Sequence, residues 1–195
     1  MAYSFTVKSS DLGTHLFHSE FTGTSDIEDA PSMVNGGDAL SEYNIIVNDN
    51  FLDPNDNCDH CNRYQYIRGS EGWAGFAYKN DKLDLTGFKR IVLFAKGQHG
   101  GEIIKFLAIG RTTQGLGQED DIFKGKNFAI RSTNISLTSY WKRYEVNTAG
   151  FDLRNVTYPF GFILFLNQSQ AESTYFLKGV AFDENPPEHY IDTSS

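Results

Sequence analysis

The hydrophobic positions of this chain fall in short runs of strand length, and no stretch sustains the three-to-four-residue spacing of an amphipathic helix. Nine segments read as β-strands: Glu42 to Asn48, Arg63 to Arg68, Gly72 to Tyr78, Lys89 to Lys96, Glu102 to Ile109, Asn127 to Arg131, Trp141 to Val146, Phe160 to Leu166 and Thr174 to Phe182. Turn chemistry separates them at Asn35-Gly36-Gly37, Asp53-Pro54-Asn55-Asp56-Asn57, Gly97 to Gly101, Gly115 to Gly117 and Tyr158-Pro159. Many short strands at such intervals predict an all-β chain folded as an antiparallel β-sandwich of the jelly-roll kind.

Alternation within the strands distinguishes two kinds of surface, because successive side chains point to opposite faces. In Glu102 to Ile109, Ile104, Phe106 and Ala108 share one face and Ile103, Lys105, Leu107 and Ile109 the other, so both are largely apolar, as in a central strand. In Arg63 to Arg68, Tyr64, Tyr66 and Arg68 share a face and Arg63, Gln65 and Ile67 the opposite one. The first of these faces is mixed aromatic and polar, which suits a ligand made of stacked rings and hydroxyls.

Composition narrows the picture. A length of 195 residues, with no linker and no composition break, is read as one domain spanning 1–195 with flexible ends at about 1–12 and 185–195. The formal charge of −8 disfavours nucleic acid and anionic membranes, both of which need clustered cations. No run approaches the roughly 18 apolar residues of a membrane span, so no membrane insertion is expected. The start of the chain lacks a basic region followed by an apolar core, so no signal peptide is expected in it. An intracellular protein or an excised piece of a larger multidomain protein would both read this way.

A family resemblance rests on an ordered series: Leu85-Thr86-Gly87-Phe88-Lys89-Arg90-Ile91-Val92-Leu93-Phe94-Ala95-Lys96-Gly97, Gly101 to Phe106, Trp141-Lys142-Arg143-Tyr144, Phe151-Asp152-Leu153, Phe160-Gly161-Phe162 and Tyr175 to Phe182. Together with Gly72-Trp73-Ala74-Gly75, this resembles the β-jelly-roll carbohydrate-binding modules of the galactose-binding-like superfold, over about residues 70 to 183. The resemblance implies a galactose-binding-like sandwich that binds carbohydrate. It also implies a structural calcium held by an Asp of the final strand, but the matching positions here are Lys178 and Gly179. An ammonium does not ligate a cation, so Lys178 is expected to replace the ion by pairing with an acidic group such as Glu20 or Asp26.

Other chemistry is read from the residues themselves. The acidic loop offers Asp53, Asn55, Asn57 and Asp59 as alternate oxygen ligands for calcium, against a plain hydrophilic turn of Asx side chains. Cys58 and Cys61 form a C-x-x-C with three readings: a local disulfide, a zinc half-site completed by His15 and His18, or free thiols. Calcium is expected ahead of zinc. The carboxylates Glu28-Asp29, Glu71 and Glu119-Asp120-Asp121 show no spacing that sets two across a cleft, and no nucleophile elbow, P-loop, H-E-x-x-H or dinucleotide fingerprint is present.

Sugar rings stack their C–H faces on aromatic rings, while their hydroxyls need planar donors and acceptors. Tyr64, Tyr66, Arg68, Trp73 and Tyr78, with Asn167 and Gln168 at a strand end, are the expected ligand contacts, Trp73 being equally readable as core. The sequence therefore predicts a non-catalytic carbohydrate-binding module, extracellular or at the cell surface, with a cytoplasmic location as the alternative. A structural or protein-interaction jelly roll is the second reading and a glycan-cleaving enzyme the third.

Overall fold

The computed structural model describes residues 14–16, 32–53, 58–80, 83–111, 122–123 and 127–184. Their strands are β1 (Thr14–Leu16), β2 (Ser32–Gly37), β3 (Ile45–Asp53), β4 (Cys58–Ile67), β5 (Trp73–Lys79), β6 (Arg90–Gly97), β7 (Ile103–Gly110), β8 (Phe128–Arg131), β9 (Ile135–Ser136), β10 (Lys142–Asn147), β11 (Tyr158–Phe165) and β12 (Glu172–Asp183). No α-helix occurs among the described residues. One sheet has the order β10-β6-β12-β4-β3, with β1 also pairing β12; the other has the order β2-β5-β11-β7-β8, with β9 also pairing β7. Every pairing is antiparallel, and most neighbours are distant in sequence, as in the register Tyr64↔Tyr175. The result is the β-sandwich jelly roll that the strand pattern predicts.

Each of the nine expected strands is present. Asn35 and Gly36, read as a turn, instead lie within β2, where Gly36 stands opposite Gly75 of β5. At the far end of the β3–β4 pairing, Asp53 stands opposite Cys58.

Rings from both sheets interlock in the core. Tyr64 of β4 lies 5.2 Å from Phe76 of β5 and 5.0 Å from Phe162 of β11, and Phe76 stacks on Phe162 at 5.1 Å. Phe106, Phe160 and Tyr144 extend the same layer. Aromatic pairs in these offset and edge geometries contribute about 0.5–1.5 kcal/mol each beyond area burial.

A second apolar layer covers the outer face of the β2–β8 sheet. There Phe123 packs with Val34, Leu107, Phe128, Ile163 and the half-buried Trp73. Gly36 and Gly75 make room for its ring: a Cβ added at either would come within 2.4 Å and 2.8 Å of it. Arg131 donates from Nη2 to the Phe123 carbonyl at 3.0 Å and fixes the segment in place. The outer face of the β3–β10 sheet carries a buried ion cluster instead, in which the Arg90 guanidinium bonds Asp183 at 2.6 Å and Glu145 at 3.1 Å.

Candidate functional site

The first residue after β2 organises one end of the sandwich. Asp38 opens a single 3₁₀ turn, Asp38–Leu40, and its buried carboxylate accepts four hydrogen bonds. The Tyr66 hydroxyl donates to Oδ2 at 2.6 Å, the backbone N–H groups of Gly69 and Gly72 donate to the same oxygen at 2.9 and 3.0 Å, and Glu71 N–H donates to Oδ1 at 2.9 Å. Residue 69 must be glycine, because a Cβ there would lie 2.3 Å from Oδ1. Burial alone would push the Asp38 carboxyl up, but the Tyr66 hydroxyl and the three amides outweigh it and hold the group below its ordinary value. Burial drives the Tyr66 hydroxyl well above its usual range, and its bond to the carboxylate adds to that.

Arg68 ties a second loop to this one. Its Nε donates to Gln170 O at 2.9 Å and its Nη2 to Leu166 O at 2.8 Å, with a further contact to Asn167 O. Asn167 N–H in turn donates to the Gln170 side-chain oxygen at 3.1 Å. Where segments 37–44 and 70–71 meet lies a groove of about 310 Å³, lined by Gly37, Asp38, Leu40, Ser41, Asn44, Ser70 and Glu71. Tyr43, the chain neighbour of the lining residue Asn44, is 81% exposed. An exposed ring beside hydroxyl, amide and carboxylate groups is the combination a sugar requires.

The expected aromatic platform does not form. Tyr64 and Tyr66 are 0% exposed and Tyr78 is 4% exposed, with Tyr78 stacked on Phe160 inside the sandwich. Their shared face is the inner one. A tyrosine can turn inward when its hydroxyl finds a partner, and Asp38 supplies one for Tyr66, while the Asn62 amide reaches the Tyr64 hydroxyl at 3.5 Å. Arg68 is engaged with backbone carbonyls and positions loops. Trp73 packs 5.9 Å from Phe123 and against Gly37, on the outer layer. Asn167 and Gln168 are exposed at the same end as the groove.

Tyr43, Leu40, Ser41, Asn44 and Ser70 escaped the sequence reading. Tyr43 and Asn44 fell inside the expected strand Glu42 to Asn48, whereas β3 starts at Ile45 and leaves them in the preceding turn.

The cysteine reading resolves to a disulfide: Cys61 is buried and disulfide-bonded, and the chain holds two cysteines. Among the described residues no group of three or more His, Cys, Asp or Glu is placed to hold a metal. Asn55 and Asn57 of the expected calcium loop lie outside the described residues, as do Glu20 and Asp26. The matching final-strand positions carry an ammonium and a glycine. The Lys178 ammonium stands 4.3 Å over the Trp141 ring, in a cation–π arrangement, and Gly179 has no side chain to ligate with.

No protein-family model matches the chain, and no curated protein matches it. Among solved structures, the Family 11 carbohydrate-binding module from Clostridium thermocellum, in complex with a beta-1,3-1,4-mixed-linked tetrasaccharide, is similar with a TM-score of 0.56 at 13% identity, covering 92% of this chain and 100% of that one. The Family 11 module of the cellulosomal cellulase Lic26A-Cel5E of the same organism gives 0.55 at 14% identity, covering 92% and 99%. A Family 30 carbohydrate-binding module gives 0.52 at 15% identity, covering 85% and 90%. The resemblance read from the sequence is thus a likeness of fold, and the chain has the β-jelly roll of these carbohydrate-binding modules.

Proposed function

We propose that the chain is a non-catalytic carbohydrate-binding module whose ligand seats in the Asp38-backed groove. The observation that carries the reading is the groove itself. Segments fixed by Asp38 hold Ser41, Asn44, Ser70 and Glu71 around a concave surface, and Tyr43, next in sequence to Asn44, is exposed. Such preorganisation lowers the ordering cost of binding a flexible glycan. The fold-level likeness to modules that bind oligosaccharides supports it.

Binding is favoured over cleavage because hydrolysis of a glycosidic bond needs two free carboxyl groups flanking it. Asp38 already accepts four hydrogen bonds, which leaves Glu71 as the other carboxylate lining this groove. The Cys61 disulfide supports an oxidising location, outside the cell or at its surface. Calcium at Asp53, Asn55, Asn57 and Asp59 is tested by melting the protein with and without a chelator. A lower melting temperature in chelator supports it, and an unchanged one removes it.

Affinity electrophoresis against mixed-linkage β-glucan and a wider polysaccharide set tests the function. Retardation by at least one neutral polysaccharide is expected, and Tyr43→Ala should weaken it about tenfold, the worth of one stacked ring. Retardation by none of them overturns the reading.

A protein-interaction role is the second reading, and a specific feature favours it. Leu40, Tyr43 and Ile46 are exposed together beside the edge strand β3. A concentration-dependent dimer in sedimentation, lost in Ile46→Lys, would select that reading.

A further inference from the structure

A second groove, of about 520 Å³, lies at the opposite end of the sandwich, where the connections before β6 and after β10 meet. Both connections are held rigidly. Leu83 and Val156 exchange backbone hydrogen bonds at 2.8 and 2.9 Å, Leu85 N–H donates to Leu153 O at 2.9 Å, and Thr148 N–H donates to Lys89 O at 2.8 Å. Gly87 and Gly150 adopt φ of 104° and 86°, and a Cβ at either would meet nothing within 4 Å, so bare backbone fronts open space there.

Three kinds of group line this groove. Phe151, 42% exposed, offers an aromatic face. Thr86 and Thr148 offer hydroxyls, and Lys89, Asp152 and Arg154 offer charged donors and acceptors. The charged set is already ordered. Arg154 donates from its backbone N–H and its Nε to Asp152 Oδ1 at 3.1 and 2.9 Å, while Arg111 bonds the Arg154 carbonyl at 3.3 Å and pairs with Asp152 Oδ2 at 3.3 Å.

We infer that this groove is a second carbohydrate site, taking a neutral pyranose whose C–H face stacks on Phe151 while its hydroxyls bridge Asp152, Arg154 and Lys89. The pairing of charges favours neutral over acidic sugars, because Arg111 and Arg154 are both already bonded to Asp152 and an acidic group would compete with that carboxylate. Asp152 and the neighbouring Asp84 stand among Lys89, Arg111 and Arg154, so a uronate or sulfate that reached the cations would also face both carboxylates. The site shares no residue with the Asp38 groove, and the two succeed or fail separately.

The test is a titration of the ¹⁵N-labelled chain by nuclear magnetic resonance, with β-1,4-linked glucose, mannose and galactose tetraoses and with tetragalacturonate as the acidic counterpart. The expected result is saturable shifts of the Gly87, Gly150 and Arg154 amides with a neutral tetraose. Phe151→Ala should weaken these about tenfold, and Tyr43→Ala should leave them unchanged. Arg154→Ala repeats the test should Phe151→Ala not fold. Shifts confined to the Ser41, Asn44 and Ser70 amides overturn the second site and leave the first standing. No shift at either end with any neutral tetraose overturns this site, and preferential binding of tetragalacturonate overturns the neutral class.

Discussion

Asp38 and Tyr66 are separated by 28 positions in sequence, yet one hydrogen bond of 2.6 Å between them decides how an end of the molecule is built. Removing the carboxylate strands a buried hydroxyl and three amides. Asp38→Ala should therefore cost about 3–5 kcal/mol in denaturant unfolding, and Tyr66→Phe about 1–2 kcal/mol. The pH dependence has a definite sign. Because folding holds the Asp38 carboxyl below its ordinary value, its contribution is fully present above about pH 4, the unfolded value, and is lost as pH falls through the folded one. Asp38→Asn should accordingly be less stable than the parent at neutral pH and show a shallower loss on acidification, read from urea midpoints across pH 2–7 as an approximate window. The sequence correctly puts Tyr64 and Tyr66 on one face, but it does not say which face is inner. That depended on a partner for the hydroxyl, supplied by a residue far along the chain.

At the scale of elements, the glycine pair Gly36 and Gly75 shows how a turn signal can mislead. Asn35-Gly36-Gly37 has turn chemistry, but the glycines serve mainly to clear space for the Phe123 ring on the outer face of the sheet. Phe123→Ala should cost about 3–5 kcal/mol and leave Trp73 more exposed, seen as a red shift of tryptophan emission. The ion cluster joining β6, β10 and β12 behaves similarly. Truncating Arg90 takes the guanidinium from the buried Asp183, while Glu145 keeps its ion pair with Arg143, and Arg90→Ala should destabilise by about 3–5 kcal/mol. Strong apolar strands such as β6, β7 and β11 were legible from alternation alone. The short β1 and β9, and the glycine-bearing β2, were not, because their pairing comes from a neighbour and not from their own propensity.

At the scale of the molecule, β12 binds the fold together by pairing with β1, β4 and β6. Ending the chain after Leu166 should abolish cooperative unfolding, with loss of dispersed amide resonances. Such non-local pairing also predicts refolding in the millisecond-to-second range in stopped-flow fluorescence. Strand order also places the grooves, bringing together 37–44 and 70–71 at one end and 86–89 and 148–154 at the other.

The sequence by itself determined that this is an all-β jelly roll, whereas the tyrosine platform it offered for carbohydrate is core. Alternation and turn residues are local, and they carry that much. Tertiary structure alone decided which tyrosines are core, that Arg68 clamps loops, and that Tyr43, Tyr140 and Phe151 are rings left at the surface among the described residues. The physical reason is that burial depends on which side of a strand another sheet covers, and strands far apart in sequence set that.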